Sequence, residues 1–454
     1  MWHIFESLNT SVCTVLLLGG AYATYKVARM LTAPLAAVPG PWHSKITSAA
    51  YFYALLRGKT FSYLTEQHRI YGPVIRLDSV SITDANAVRT VLSTHRFRKG
   101  RLYKVAKFGG GHSKKMIAPA FSNVAMINLE PIIMDVGINK IVKVLEKKGA
   151  GGAPVDLFKT LMCMTLDVTC AVALGGSFNM LEADNHPITS WVHGILVLAL
   201  TRHMFGEKPA ELMLPNRREA KNAPKDVLQS LIEAVDDNTG EGLASSDIVS
   251  EIITLLLAGS DSTATALSWS IILLSDHPEC MKRLVAELDE AFPSIDEPIT
   301  HNKVAGLTYL NAVLHEVLRQ RSPSSIDLPR VTPNGGATLG GHFIPGETEI
   351  IISPYAVTND ARNFERPLEF DPSRWLVSSE MVSEMKHIYI PFSMGARACL
   401  GQNLAWLEMR LALATILRKF TFKILPGQNL QPVLRLVLQP SDARMMVTAI
   451  RRTS

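Results

Sequence analysis

The residues from Pro391 to Gly401 read Pro-Phe-Ser-Met-Gly-Ala-Arg-Ala-Cys-Leu-Gly, and they carry the most specific chemistry in the chain. Gly395 and Gly401 bracket Cys399 and permit tight turns that a side chain would block. A strong helical pattern, Asn403–Phe420, begins just after the cysteine, with Leu404, Leu407 and Leu411 on one face. The free N–H groups and partial positive charge at a helix start favour a thiolate over a thiol. Arg397, two residues before the sulfur, can answer a carboxylate beside it. A stabilised thiolate next to an anion-binding arginine suits an iron porphyrin, whose propionates are anionic. The competing reading is a structural cysteine buried in a turn. The register of Phe392, Gly395, Arg397, Cys399 and Gly401 favours the first.

Ala258-Gly-Ser-Asp-Ser-Thr263 lies inside Ser246–Asp276, a long helical pattern that is apolar almost all round. Such a helix belongs in a core. An aspartate there is costly without a partner, so Asp261 with Ser262 and Thr263 can serve to relay protons. Gly259 is expected to leave room beside the helix for a small ligand. The bland reading is a locally kinked, hydrogen-bonded helix. Glu316 and Arg319, three residues apart, share one helix face and can pair.

These residues need elements to hold them. Helical periods run through Met126–Lys148, Val155–Leu174, Lys225–Asp237, Pro278–Phe292 and Leu310–Arg321. Strand-like stretches appear at Val74–Leu77, Val80–Ile82, Thr348–Ile352 and across Leu434–Ile450. The expectation is a mainly α chain with small β-sheets towards both ends. With 47% hydrophobic and 19% charged residues among 454, the chain can bury a large core and is not a disordered one.

From Ser7 to Tyr25 there are 19 residues without a charge, about the length that crosses a bilayer. Lys26 and Arg29 follow, which leaves the C-terminal side in the cytosol. No Lys or Arg precedes the apolar stretch, as a cleaved signal would require, although Ala21-Tyr-Ala23 resembles a cleavage site. The organisation read here is an anchor over 1–30, a proline-rich hinge over 31–41 and a catalytic domain over 42–454. Five widely spaced cysteines make no disulfide framework and no zinc pattern, and point to a reducing compartment. Net charge is only +5, but Arg96–Lys115 holds eight Lys or Arg and no acid. That run is a docking face for an acidic partner or simply a solvated surface. No nucleic-acid module accompanies it.

The Cys399 segment resembles the F-x-x-G-x-R-x-C-x-G haem-binding signature of the cytochrome P450 superfamily at every fixed position, and the chain is most similar to its microsomal, fungal branch. Glu316–Arg319 matches the E-x-x-R motif of that family. Phe370-Asp-Pro-Ser-Arg374-Trp375 resembles the partner motif whose arginine joins the ion pair. Ala258–Thr263 is similar to A-G-x-D-T-T, with Ser262 in place of the usual threonine. The resemblance implies the P450 fold, with haem b between the long central helix and the Cys399 loop. It implies Cys399 as the iron ligand, with Phe392, Gly395, Arg397 and Gly401 around it and Arg330 of Leu328-Pro-Arg330 on a propionate.

It also implies a haem-thiolate monooxygenase acting on a lipophilic fungal secondary metabolite of terpenoid, polyketide or peptide origin. Electrons would come from NADPH through a P450 reductase docked on Arg96–Lys115. The place would be the endoplasmic reticulum membrane, single-pass, with the catalytic domain in the cytosol. Two departures stand out. The early arginine that meets a propionate has no match, leaving His112, Lys114 and Lys115 as substitutes. The segments around 110–115 and Leu214–Lys225 are short. A reductase-independent isomerase or dehydratase and a catalytically silent haem binder are the alternatives.

Overall fold

The computed structural model describes residues 34–100, 117–183, 226–235 and 240–453, with Tyr103 and nine scattered residues between Thr14 and Ala28. In chain order the helices are α1 (Ala49–Leu56), α2 (Thr60–Tyr71), α3 (Ala85–Ser93), α4 (Asn123–Ile133), α5 (Asn139–Lys148), α6 (Leu157–Leu174) and α7 (Val227–Glu233). There follow α8 (Ser245–Asp276), α9 (Pro278–Ala291), α10 (His301–Ala305), α11 (Thr308–Gln320), α12 (Pro354–Thr358), α13 (Ser379–Ile388) and α14 (Gln402–Lys419). Side-chain caps start several of them. Asp84 accepts from Ala87 N, Ser122 from Ala125 N, Asp156 from Lys159 N and Asp226 from Gln229 N. Each satisfies one of the N–H groups a helix start leaves over.

The chain forms two compact units. The first joins Met1–Gly100 to Asp327–Asn363. It holds a five-stranded sheet in the order β1 (Val74–Arg76), β2 (Val80–Ile82), β8 (Glu349–Ile352), β5 (Leu328–Val331), β3 (Arg98–Lys99). Only β2 and β8 pair in parallel. A hairpin of β6 (Ala337–Leu339) and β7 (His342–Ile344) belongs to the same unit. Leu64, Ile75, Leu77, Ile351 and Ala356 make its small core.

The second unit, Arg101–Ile326 with Phe364–Ser454, is mostly helical. One apolar core runs through α5, α6, α8, α11 and α14. From Thr263 to Leu274 every residue of α8 is buried, as an all-round apolar helix requires. Leu404, Leu407 and Leu411 of α14 all face the core. A three-stranded sheet orders β4 (Pro154–Asp156), β12 (Met446–Arg451) and β9 (Phe420–Ile424), and β10 (Pro432–Leu434) pairs with β11 (Leu438–Pro440).

Three expectations shift in detail. The helix expected over Met126–Lys148 is broken by a widened π turn at Met134–Ile138. There Gly137 lies so close to α6 that a Cβ would stand 2.5 Å from Val168 Cγ2. The helix expected over Lys225–Asp237 ends at Glu233, where the backbone turns extended and Val235 bridges to Gly242. The stretch Leu434–Ile450 is interrupted by turns rather than continuous, yielding the hairpin and β12.

Among the described residues one helix, α6, is long and apolar enough to cross a membrane, and 83% of it is buried in the protein. It is a core helix. The stretch Ser7–Tyr25 falls mostly outside the described residues, and those of its residues that are described are helical and exposed.

Candidate active site

The loop before α14 is built around Cys399. The Cys399 amide donates to Phe392 O at 2.7 Å, Ala398 N to Gly395 O at 3.0 Å and Ser393 N to Ile390 O at 3.0 Å. These bonds fold the segment back on itself, with a single 3-10 turn at Gly395–Arg397. Gly395 sits at φ +65, in the left-handed region where glycine is favoured. Gly401 differs from expectation. Its φ is −81, a conformation any residue adopts, and a Cβ there would meet nothing within 4 Å. It contributes open space beside the cysteine rather than a turn.

Burial sorts the thiols. Cys163 and Cys170 are buried in α6, and desolvation pushes them up to about 11 and about 12. Such thiols stay protonated and inert. Cys399 alone among the described cysteines is exposed. Arg397 is half-buried two residues before it, and half-buried Phe392 packs 6.3 Å from the ring of Trp406 on α14.

Behind the loop, Glu316 and Arg319 of α11 are both fully buried and bonded at two points, 2.9 and 2.8 Å. Arg374 Nε donates to Glu316 Oε1 at 3.0 Å, as the family resemblance implied. Two further donors were not legible from sequence. Trp375 Nε1 reaches Glu316 Oε2 at 2.9 Å and Asp371 N reaches Oε1 at 3.1 Å. His315 stacks on Trp375 and contacts Tyr389 and Trp406. Burial, reinforced by Lys386 and Arg410, lowers it to about 3, so it is a neutral ring. The only sequence signal for that cluster was the proximity of His315 and Trp375 to the two arginine motifs.

On α8, Ala258 is exposed and Asp261 and Ser262 are half-buried, so the three form one open face. Ser262 Oγ donates to Ala258 O at 2.6 Å. Thr263 is placed elsewhere: it is 3% exposed and lies about 100° round the helix from Ser262. Sequence reasoning missed Thr265, fully buried one turn beyond Ser262, whose hydroxyl has no hydrogen-bond partner among the described residues. Gly259 does not leave room for a ligand. Its missing Cβ is the place where Thr169 of α6 packs, 2.8 Å from both Cγ2 and Oγ1.

Arg330 belongs to the first unit. It is 2% exposed on β5 and donates from Nη1 to Pro329 O at 3.0 Å. His112, Lys114, Lys115 and Leu214–Lys225 lie outside the described residues, as does most of Arg96–Lys115. Within that run Arg98 pairs with Glu347 at the surface.

The family model for cytochrome P450 matches residues 46–216 and 199–447. The chain belongs to the cytochrome P450 family. It is 30% identical to the cytochrome P450 monooxygenase cpaH of Aspergillus oryzae, over 93% of this chain and 90% of that one. It is 29% identical to the cytochrome P450 monooxygenase FUS8 of Gibberella fujikuroi, over 96% and 93% of the two chains. The fold is that of the crystallised cytochrome P450DA haem domain, at a TM-score of 0.80 and 23% identity, over 91% of this chain and 98% of that one. A P450 carries haem, and the residues here fit one. They offer an exposed thiol on a glycine-turned loop, open space at Gly401 and a helix start behind the sulfur.

Proposed function

We propose that this cytochrome P450 monooxygenase inserts one oxygen atom of O2 into a lipophilic fungal secondary metabolite, with electrons from NADPH passed through a P450 reductase. The balance is R–H + O2 + two electrons + two protons giving R–OH + water. The observation that carries the reading is the exposed Cys399 loop in the same unit as the Asp261–Ser262 face. The names of the fungal relatives support the substrate class.

Haem, when bound, supplies the redox-active iron. Cys399 Sγ would ligate it as a thiolate, whose electron donation would suit the iron to oxygen chemistry. Arg397, in the same unit as Cys399, is the cation to answer its propionates. Asp261 and Ser262 handle the two protons. The half-buried Asp261 carboxyl exchanges with solvent, and the Ser262 hydroxyl keeps lone pairs free to accept while it donates to Ala258 O. Thr265, one turn on and fully buried, has a hydroxyl with no partner among the described residues. A reconstitution with purified reductase tests the reading. Substrate-dependent NADPH consumption is expected, and product formed without reductase would replace it with a rearrangement.

Serine lacks the methyl that restricts a threonine's rotamers. Ser262→Thr is therefore expected to lower the share of consumed NADPH that ends as peroxide. Equal peroxide yields from both proteins would sink this idea.

The place proposed is the endoplasmic reticulum membrane, spanned once by the N-terminal segment, with the catalytic domain in the cytosol. Its support is the uncharged run Ser7–Tyr25 followed by Lys26 and Arg29. An exposed apolar face follows closely in the first unit: Trp42, then Phe52, Tyr53, Leu55 and Leu56 of α1. Each such side chain gains on the order of 1 kcal/mol by entering an acyl boundary. Emission from Trp42, taken as the difference from Trp42→Phe, is expected to be quenched by brominated phospholipid in vesicles carrying the full chain. Unquenched Trp42 on vesicle-bound protein would place this face in water. The basic run remains the proposed reductase face, with Arg98 already committed to Glu347.

A further inference from the structure

The two residues just before Asp261 are held from outside their own helix. Gly259 meets Thr169 of α6 at a separation that no side chain could share: a Cβ would lie 2.8 Å from Thr169 Cγ2 and Oγ1 and 3.5 Å from its Cβ. Ser260 is held through its carbonyl, which accepts from Thr165 Oγ1 at 2.9 Å. Thr165 is fully buried, and its one hydroxyl proton also faces Leu161 O at 3.1 Å and Met162 O at 3.2 Å within α6. The bond to Ser260 is the shortest of the three and the only one that crosses helices. Thr169 uses its own proton on Thr165 O at 2.7 Å, which fixes the rotamer that meets Gly259.

We propose that Thr165 and Thr169 are positioning residues that clamp α8 at Gly259–Ser260 and thereby set where Asp261 and Ser262 stand. A helix is stiff over one turn, so whatever fixes residues 259 and 260 in rotation and height fixes 261 and 262 as well. Proton delivery demands heavy-atom distances near hydrogen-bonding range, and small displacements are expensive. The glycine serves close helix packing, and through it the geometry of the acid–hydroxyl pair. This inference rests on the proposed reading that Asp261 and Ser262 carry protons.

Two readouts judge it on the full chain, one of them independent of turnover. The first is deuterium uptake over residues 258–266. The second is the fraction of consumed NADPH recovered as peroxide. Thr165→Val, which keeps shape and removes the hydroxyl, is expected to retain haem, take up deuterium faster in that segment and release more peroxide. The rise should be on the order of threefold to tenfold, below the hundredfold that a full 1 Å misplacement costs. Thr165→Ser, which keeps the hydroxyl, should restore both readouts. Gly259→Ala should shift both, and adding Thr169→Ala should reverse the shift, because both 2.8 Å contacts are then gone. This second pair decides the matter if Thr165→Val does not fold.

Unchanged uptake and peroxide in Thr165→Val overturn the clamp, as does failure of Thr165→Ser to rescue. Failure of Thr169→Ala to reverse Gly259→Ala does so too. Asp261→Asn, run alongside, separates the two claims. If it leaves the peroxide fraction unchanged, the proton reading fails, while deuterium uptake still judges the clamp.

Discussion

Glu316→Gln is expected to yield little folded, haem-loaded protein. The Glu316 carboxylate accepts from Arg319 Nε and Nη2, Arg374 Nε, Trp375 Nε1 and the Asp371 amide. It is 0% exposed, as is Arg319. A buried pair adds little net stability while intact, because desolvation offsets attraction. Breaking it is another matter, since removing one partner strands a charge at about 3–5 kcal/mol. Here the loss takes their shared carboxylate from two guanidinium groups at once, against a total stability of roughly 5–15 kcal/mol for a folded protein. Arg374→Gln should cost less. Glu316 would keep Arg319, and the lost Arg374 bonds go partly to the carbonyls of Glu365 and Arg366 near the surface. Urea unfolding together with haem content measures the order. A Glu316→Gln protein within about 1 kcal/mol of wild type would mean that the network is ornamental to stability.

What sequence could and could not reveal follows from the range of each interaction. The Cys399 loop was legible because its chemistry is local: a glycine at positive φ, a thiol and a helix start lie within a few residues. Glu316–Arg319 was legible for the same reason, three residues on one helix. Helix ends were readable within a few residues where a cap or a proline marks them, as at Pro278. The role of Gly259 was not. Its meaning depends on Thr169, ninety residues away in the chain, and a glycine looks the same whether a ligand or a helix fills its side. Thr263 follows Ser262 in the chain but turns to another face, because adjacency in sequence is not adjacency on a helix face. The π turn at Met134–Ile138 likewise answers to a tertiary contact, the approach of Gly137 to Val168. Trp375 was quoted as part of a motif, yet its indole bond to Glu316 could not be inferred, since it requires α11 and the Pro372–Leu376 turn to be packed together first.

Cys399→Ala is expected to abolish the thiolate-type Soret band of the reduced, carbon monoxide-bound protein, and all NADPH-linked turnover with it. Ionisation and placement both bear on which sulfur can serve. A thiolate ligand must be ionised and reachable. At pH 7 a thiol with a pKa of about 11, such as Cys163, is ionised in only about one molecule in ten thousand, and Cys170 less still. Both are enclosed in α6. Cys163→Ala and Cys170→Ala should therefore keep the band, losing only the packing of a small buried side chain. Cys399 has the opposite surroundings, an exposed loop tip three residues ahead of α14, where helix N–H groups favour the anion. Should Cys399→Ala still give a thiolate band, another sulfur would be the ligand. Should the wild type give only the band of a histidine-ligated haem, the loop would not be presenting its thiolate to iron, and the silent haem-binding alternative would take the place of the monooxygenase.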